Sequence, residues 1–212
     1  MKNIFVSNST ESSRMFKKDW MEALSKVHYS VPLIIFLPVV AFFGWKSVGI
    51  LLQDWTAFIF SILGGLFVWT ITEYGLHRFI FHFVPRSAWG QRLHFIFHGV
   101  HHDYPNDANR LVMPPSVSIP LAAGFYFLFT WLLPVNYVPG FFAAFITGYL
   151  FYDLSHYAIH HGNFKSAFWK KLKHHHMTHH YSNPDKGYGV SSALWDKILQ
   201  TDFDKQPPRD DE

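Results

Sequence analysis

The histidines of this chain are numerous and regularly spaced. Fifteen of the 212 residues are histidine. Ten of them form an H-x4-H pair (His77, His82), an H-x2-H-H cluster (His98, His101, His102), an H-x3-H pair (His156, His160) and a second H-x2-H-H cluster (His176, His179, His180). Neutral imidazole is a good ligand for iron, zinc and copper. Ten such ligands are too many for one ion and about right for two, so the sequence predicts a site for two metal ions.

The spacing within each motif predicts which imidazoles share a centre. Residues three and four apart lie on one face of a helix. We therefore expect His98, His101 and His102 to point at one centre, and each of the other two close-spaced motifs to do the same. His77 and His82 are five apart, so they diverge on a regular helix and could serve two different centres.

The other polar residues near these motifs have two readings each. His28 and His94 are expected to be surface or capping residues, and His161, His174 and His175 to support a ligand or face solvent. Glu73 lies one helical turn before His77, and Asp153 lies three residues before His156. Either carboxylate could accept the second N–H of a ligand imidazole, or be a polar residue at a helix end.

The histidines are separated by long apolar stretches. Residues 111–152 contain no Asp, Glu, Lys, Arg or His, and the turn-forming Pro134, Asn136, Pro139 and Gly140 divide this stretch. A bilayer crossing needs about 20 apolar residues. The sequence predicts four transmembrane helices, at about 31–52, 56–76, 117–133 and 140–158. A buried helical hairpin in a soluble protein is the alternative for the last two.

The distribution of charge predicts the orientation of these spans. An even number of spans puts both termini on one side, and 17 of the 18 Lys and Arg residues then lie on that side, Lys46 being the exception. All fifteen histidines lie there too. The positive-inside tendency makes this side cytoplasmic. We predict an all-α integral membrane protein with a polar cytoplasmic segment (1–30) and one domain (31–212) carrying a cytoplasmic, histidine-rich helical cap.

The composition excludes several classes of protein. No cysteine is present, which excludes disulfide scaffolds, zinc fingers, iron–sulfur sites and thiol catalysis. Hydrophobic residues make up 49% and charged residues only 16%, against about 25% charged in soluble proteins. No nucleic-acid partner is expected.

An all-histidine pair of metals at a membrane face suits oxidation of unactivated C–H bonds, which needs a redox metal, dioxygen and supplied electrons.

The sequence around the histidines resembles that of a known family. The stretches EYGLHRFIFHF, HFIFHGVHHDYPNDANRLVMPP, YDLSHYAIHH and GYGVSSALWDKILQT resemble the membrane fatty acid hydroxylase superfamily, and within it the fatty acid 2-hydroxylases that act on sphingolipid acyl chains. The likeness covers about residues 72–201. It implies that the ten motif histidines hold a functionally di-iron centre and that Tyr149, Tyr152 and Asp153 line or support it.

The resemblance also implies a reaction. The expected activity is O2-dependent 2-hydroxylation of a long-chain fatty acid or of a sphingolipid acyl chain, with Arg110, Asn106 and Asp107 as candidates to meet the lipid head group. A solvated loop is the other reading of these three residues. Zinc generally outcompetes ferrous iron for nitrogen ligands, so zinc could occupy the site in purified protein.

The expected partners are a lipid, a membrane and an electron donor. Related eukaryotic proteins often carry a cytochrome-b-type domain with a His-Pro-Gly-Gly motif, which this sequence lacks. A separate cytochrome-b-type protein, ferredoxin or reductase is therefore expected. The membrane would be the endoplasmic reticulum in a eukaryote and the inner membrane in a bacterium.

Two rival functions stay open at this point. The same scaffold could hydroxylate or desaturate a sterol or a carotenoid. Alternatively, the chain could be a membrane metal-binding protein without catalysis. A transporter is expected to place polar ligands near the bilayer midplane, whereas residues 111–152 carry none and the histidines gather on one side.

Overall fold

A computed structural model describes residues 5–203 of the chain. Residues 1–4 of the predicted N-terminal segment and 204–212 of the predicted domain lie outside the described residues. The described residues form helices and loops, and none of them lies in a β-strand, which confirms the all-helical prediction. The α-helices are α1 (Asp19–Leu24), α2 (Val31–Leu51), α3 (Trp55–Gly75), α4 (Ala88–His94), α5 (Val100–Asp103), α6 (Pro115–Leu132), α7 (Val138–His161), α8 (Ala167–Tyr181) and α9 (Leu194–Ile198).

Within residues 5–203, three helical segments are long and apolar enough to cross a membrane. They are Val31–Ile50, Trp55–Phe81 and Pro115–Leu132. Large apolar side chains on them, such as Ile34, Phe60 and Trp131, are exposed on the protein surface. Such extensive apolar surface is typical of a lipid-facing protein. Helices α2, α3 and α6 begin and end within two residues of three of the predicted spans.

The fourth predicted span lies within α7, and this helix differs from the other three. Sixteen of its 24 residues are buried, because α2, α3, α6 and α8 all pack against it. Phe145, Ile146 and Ile159 are almost completely enclosed. Helix α7 is therefore the centre of the bundle, and its crossing of a membrane stays a prediction.

Two short turns bring the histidine-bearing helix ends together. Residues 52–54 join α2 to α3, and the side chain of Asp54 caps α3 by accepting the N–H of Ala57 at 3.0 Å. Residues 133–137 join α6 to α7, and Pro139 lies in the first turn of α7. Because each turn is short, each helix pair is antiparallel. His77 lies just beyond the end of α3 that is away from these turns, and His156 and His160 lie in the last turns of α7.

Small residues allow α3 and α7 to approach each other closely. A Cβ atom added to Gly65 of α3 would collide with the carbonyl oxygen of Phe141 and lie 2.9 Å from the Cβ of Ala144. A Cβ atom added to Gly140 would collide with the hydroxyl of Ser61. Small residues at such contacts are typical of helices packed in membranes. The distance between the two histidine-bearing helices therefore depends on glycine.

Enlarging Gly65 is expected to destabilise this contact. Gly65→Ala should lower the free energy of unfolding by about 1–3 kcal/mol, because the added methyl overpacks the α3–α7 interface. The measurement is the thermal unfolding midpoint of detergent-purified protein. Gly44→Ala in α2 is the matched control, since its added Cβ would meet nothing within 4 Å. Equal midpoints for the two variants would contradict the prediction.

Candidate metal centre

The ten motif histidines converge in two groups of five. Within each group, one nitrogen from every imidazole lies within 4.8 Å of the nitrogens of the others. The first group, called site A below, contains His77, His82, His98, His102 and His179. The second, site B, contains His101, His156, His160, His176 and His180. Each group could hold one metal ion.

The two sites are immediate neighbours. The ring of His102 in site A stacks on the ring of His180 in site B, with centroids 4.2 Å apart. The rings of His101 and His102 are 5.8 Å apart, although the two residues belong to different sites. This proximity fits two metals that act together on one substrate.

The expectation that each H-x2-H-H cluster points at one centre is wrong. His98 and His102 belong to site A while His101 belongs to site B, and His176 and His180 belong to site B while His179 belongs to site A. Successive residues of an α-helix diverge by about 100°. The side chain four positions along a helix points close to the direction of the first one. The side chain three positions along points about 100° away from its i+4 neighbour, so it faces a different side. Each cluster therefore gives two ligands to one site and one to the other.

The expectation that His77 and His82 diverge is also wrong. Both belong to site A, and their ring centroids are 4.9 Å apart. Residues Leu76–Phe81 form a π-helical segment that continues α3, and the N–H of His82 donates to the carbonyl of His77 at 3.1 Å. This i to i+5 bond widens the turn, so residues five apart become neighbours. A second π-helical segment, Phe95–Gly99, carries His98.

The spacing of the imidazole nitrogens matches a shared cation. The Nε2 atom of His98 lies 3.0–3.2 Å from the Nε2 atoms of His77, His82 and His102. The Nε2 atom of His176 lies 2.9–3.0 Å from the Nε2 atoms of His156, His160 and His180. Nitrogens about 2.1 Å from one metal, at right angles, are separated by about 3.0 Å. Each site therefore has the donor set and spacing that a transition metal needs.

Burial keeps these imidazoles in the neutral form that binds metal. Desolvation, reinforced by neighbouring imidazoles, lowers the pKa of His98, His101, His102, His176 and His180 well below the usual value. The same causes lower the pKa of His179 to about 3, although the carbonyl of Lys186 opposes them. At neutral pH these side chains carry no charge, so a metal ion does not have to displace protons from them.

Backbone carbonyls fix the orientation of two ligands of site A. The Nδ1–H group of His77 donates to the carbonyl of Tyr188, and the Nδ1–H group of His179 donates to the carbonyl of Lys186 at 2.6 Å. Protonation of Nδ1 leaves the Nε2 lone pair free to face the metal. Sequence reasoning missed these partners, because a backbone carbonyl has no residue-specific signal.

Of the two readings of Glu73 and Asp153, the one in which they accept an imidazole N–H is wrong for the described residues. One oxygen of Glu73 accepts the N–H groups of Val190 and Ser191 at 2.9 and 2.7 Å. Asp153 accepts the N–H of Met113 and the hydroxyl of Tyr149, both at 3.2 Å. Both carboxylates are buried, and they hold loops that pass beside the histidines.

Tyr149, Tyr152 and Asp153 lie at different distances from the ligands. The ring of Tyr152 is nearly parallel to that of His156, with centroids 5.8 Å apart. Tyr149 lies deeper in the core, edge-on to Phe36 and Trp69, and reaches the site through Asp153. A catalytic part for any of the three stays a prediction.

The remaining histidines lie outside the two sites. His28 pairs with the hydroxyl of Ser30 at the start of α2, and His94 lies at the end of α4. His161 and His174 are exposed. His175 is buried and contacts Asp196 at 3.2 Å.

An apolar cavity of about 410 Å³ reaches both sites. His98 of site A and His101 and His156 of site B form one wall, together with Tyr152 and Asp153. The other walls are mainly apolar and include Met15, Phe16, Trp20, Met21, Leu24, Phe81, Phe97, Leu111, Val112 and Met113. The sequence did not predict that the N-terminal segment closes this cavity, although its apolar residues at 15, 16, 20, 21 and 24 are a signal.

Arg110 connects this N-terminal segment to the rest of the protein. Its guanidinium donates to Glu22 at 2.6 Å and to the carbonyl of Ser13 at 2.7 Å, and lies 3.2 Å from Asp107. Asp107 also accepts the hydroxyl of Ser12 at 2.7 Å. Arg110 and Asp107 are thus buried and paired within the protein, so the alternative of a solvated loop is wrong for these two residues. Their contact with a lipid head group stays a prediction. Asn106 is half-buried, and its part stays a prediction.

Comparison with known proteins identifies similar sequences and a similar structure. The fatty acid hydroxylase family model matches residues 62–201. The chain is 40% identical over 186 residues to the ceramide very long chain fatty acid hydroxylase SCS7 of Saccharomyces cerevisiae. This alignment covers 86% of this chain and 48% of the yeast protein. It is 37% identical over 202 residues to the dihydroceramide fatty acyl 2-hydroxylase FAH1 of Arabidopsis thaliana, with 94% and 84% covered.

A solved structure agrees with these sequence matches. The structure of full-length scs7p, with only the hydroxylase domain visible, superposes with a TM-score of 0.81 at 39% identity and covers 89% of this chain and 72% of that chain. The fatty acid 2-hydroxylase of Rattus norvegicus is 36% identical over 209 residues, with 89% of this chain and 56% of that protein covered. The chain spans about half the length of the yeast and rat proteins.

Removing two ligands from one site is expected to remove one metal. The double variants His82→Ala with His102→Ala (site A) and His160→Ala with His180→Ala (site B) should each lower bound metal from about two ions per chain to about one. Elemental analysis of detergent-purified protein measures this. His161→Ala with His174→Ala, at two exposed histidines, is the control and should keep about two ions. An unchanged metal content in either site variant would contradict the prediction.

Neutralising Glu22 is expected to loosen the N-terminal wall of the cavity. Loss of a hydrogen bond between charged groups costs about 1.5–3 kcal/mol, so Glu22→Gln should speed amide hydrogen exchange in residues 12–26 roughly 10- to 100-fold. Exchange measured by mass spectrometry tests this. Glu11→Gln, an exposed glutamate of the same segment, should leave exchange unchanged. Equal rates in the two variants would show that the Glu22–Arg110 pair does not hold the segment.

Proposed function

Because this chain belongs to the fatty acid hydroxylase family, we propose that it hydroxylates carbon 2 of the acyl chain in a sphingolipid-type lipid. The observation that carries the proposal is the apolar cavity whose wall contains ligand histidines of both sites. An acyl chain in this cavity would lie beside both centres. The names of the yeast and Arabidopsis relatives, ceramide very long chain fatty acid hydroxylase and dihydroceramide fatty acyl 2-hydroxylase, agree with such a substrate.

The ten histidines of sites A and B would hold two metal ions, functionally iron. Zinc would occupy the same nitrogens in protein purified without added iron. Iron at both sites would supply the oxidation of an unactivated C–H bond, with dioxygen as co-substrate and electrons from a donor protein. The protein's own contribution is to hold neutral imidazoles in place and to keep water from the cavity by its apolar lining.

The cavity favours an acyl chain in amide linkage over a free fatty acid. Among the described residues that line it, Arg110 is the one with a permanent positive charge, and Glu22 and Asp107 compensate that charge. A free carboxylate would enter without a partner, which is costly in an apolar site. An amide is uncharged and loses less on entering.

The position of α1 supports entry of the lipid from the membrane surface. Trp20 and Leu24 line the cavity, yet 61% and 59% of their surfaces are exposed. An acyl chain could pass this apolar edge while its head group remains outside. A head group held there would set which carbon reaches the metals, and positioning of this kind contributes strongly to rate and selectivity.

The proposed topology has four transmembrane helices, α2, α3, α6 and α7. The ends of α3 and α7 that carry histidines would then lie on the same side as both termini. Seventeen of the 18 Lys and Arg residues fall on that side, which supports a cytoplasmic metal centre. A separate cytochrome-b-type protein, ferredoxin or reductase would reach the centre from the cytoplasm.

The reaction can be tested in cells that express the chain. Mass spectrometry of hydrolysed sphingolipids should show 2-hydroxy acyl chains that require oxygen, iron and a supplied electron donor. His101→Ala should lower this product at least about 100-fold, because it removes a ligand that also lines the cavity. His174→Ala, at an exposed histidine, should leave it unchanged. Hydroxylated sterols or carotenoids without a 2-hydroxy acyl product would overturn the assignment of the substrate.

A further inference from the structure

The loop of residues 186–191, called the carbonyl loop below, lies against site A. Its carbonyl groups at Lys186 and Tyr188 accept the Nδ1–H groups of His179 and His77. These two histidines come from α8 and from the end of α3, which are far apart in the sequence. The carbonyl loop therefore sets the relative orientation of two ligands that no single helix controls.

Two buried carboxylates hold the carbonyl loop by four successive amides. Asp196 accepts the N–H groups of Tyr188 and Gly189, each at 2.8 Å. Glu73 accepts the next two, from Val190 and Ser191. The N–H of Gly189 and the carbonyl of Tyr188 belong to one peptide group, which cannot rotate without breaking the bond to Asp196. Asp196 therefore also fixes the direction of the carbonyl that His77 uses.

Asp196 is itself firmly placed. It has no exposed surface, accepts the hydroxyl of Thr201 at 2.8 Å and contacts Nε2 of His175 at 3.2 Å. Thr201 also accepts the N–H of Gly187 through its carbonyl at 2.8 Å. The segment from Asp196 to Thr201 thus binds the N–H groups of Gly187, Tyr188 and Gly189. The N–H of Gly187 belongs to the same peptide group as the carbonyl of Lys186, so this segment also fixes the carbonyl that His179 uses.

Site B has no equivalent support from the carbonyl loop. Both ligands that the loop orients belong to site A. The Nδ1 atoms of His101, His176 and His180, all in site B, are buried without a hydrogen-bond partner among the described residues. His156 and His160, also in site B, are hydrogen-bonded instead to the backbone at Leu111 and Pro105. Among the described residues, the carbonyl loop therefore orients histidines of site A alone.

We propose that Asp196 is a positioning residue for site A alone, acting through the carbonyl loop on His77 and His179. The proposal rests on the proposed function, in which both sites bind metal. Groups that hydrogen-bond to metal ligands typically change metal affinity by about 10- to 100-fold. Asp196→Asn should weaken metal binding at site A by such a factor and leave site B unchanged.

Zinc titration of the full chain in detergent tests the proposal, since zinc reports binding without redox chemistry. Asp196→Asn is introduced into two backgrounds. In His160→Ala with His180→Ala, site A remains, and the zinc dissociation constant should rise about 10- to 100-fold. In His82→Ala with His102→Ala, site B remains, and the constant should not change. Neither background alters a residue for which a hydrogen bond to the carbonyl loop is seen among the described residues. His82 makes an edge-on ring contact with Tyr188 of the loop, with centroids 5.2 Å apart, but its background reports on site B alone.

Two further variants separate positioning from general damage. Glu22→Gln neutralises another buried carboxylate that accepts two backbone amides, those of Met15 and Phe16, and should leave both titrations unchanged. Thr201→Val keeps the Asp196 carboxylate but removes one of its donors. It should give a smaller shift, again at site A alone, and it provides the test if Asp196→Asn does not fold.

The outcomes distinguish this proposal from the function on which it rests. Equal shifts at both sites, or no shift at site A, would overturn the positioning role while two zinc ions still bind to the unaltered chain. If the unaltered chain binds no zinc at either site, the proposed function fails, and this inference fails with it.

Discussion

The close packing of ten buried imidazoles is the constraint on which the rest of the structure depends. Nitrogens about 3 Å apart, such as Nε2 of His98 and His102, present lone pairs to one another when both neutral rings carry their proton on Nδ1. Buried polar groups without partners are costly, and a shared cation removes that cost. Until the cation binds, the surrounding helices must hold the rings in place. This explains why the most enclosed helix, α7, carries two of the ligands.

The division of each H-x2-H-H cluster between the sites couples the two centres mechanically. One helical turn of α8 places His176 and His180 in site B and His179 in site A. In the cluster at 98–102 the assignment is reversed, with His98 and His102 in site A and His101 in site B. The separation of the two centres is therefore fixed by the geometry of single helical turns, which are stiff. A fold that supplied each site from its own helices would leave this separation to looser contacts between helices.

The sequence predicts the long helices and the convergence of ten histidines well, because both follow from local patterns. Long apolar stretches predict α2, α3 and α6 within two residues, and motif spacing identifies the ten histidines that converge. That these histidines bind metal stays a prediction. The pairing of His77 with His82 in one site could not be predicted in this way. It depends on the π-helical turn after Gly75, which brings His77 and His82 together, and no composition signal marks that turn. The carbonyl partners of His77 and His179 lie more than five residues away along the chain and carry no side-chain signature.

The cavity and the metal ligands are supported from opposite ends of the chain. Residues 12–26 close the cavity and are held by the Glu22–Arg110 pair, whereas residues 186–201 orient ligands of site A and are held by Asp196. The two networks share no residue. A change in the N-terminal wall can therefore alter the shape of the cavity without moving a histidine of site A or site B. Conversely, a change in the carbonyl loop can reorient His77 and His179 without altering that wall, so under the proposed function substrate choice and metal binding could vary separately.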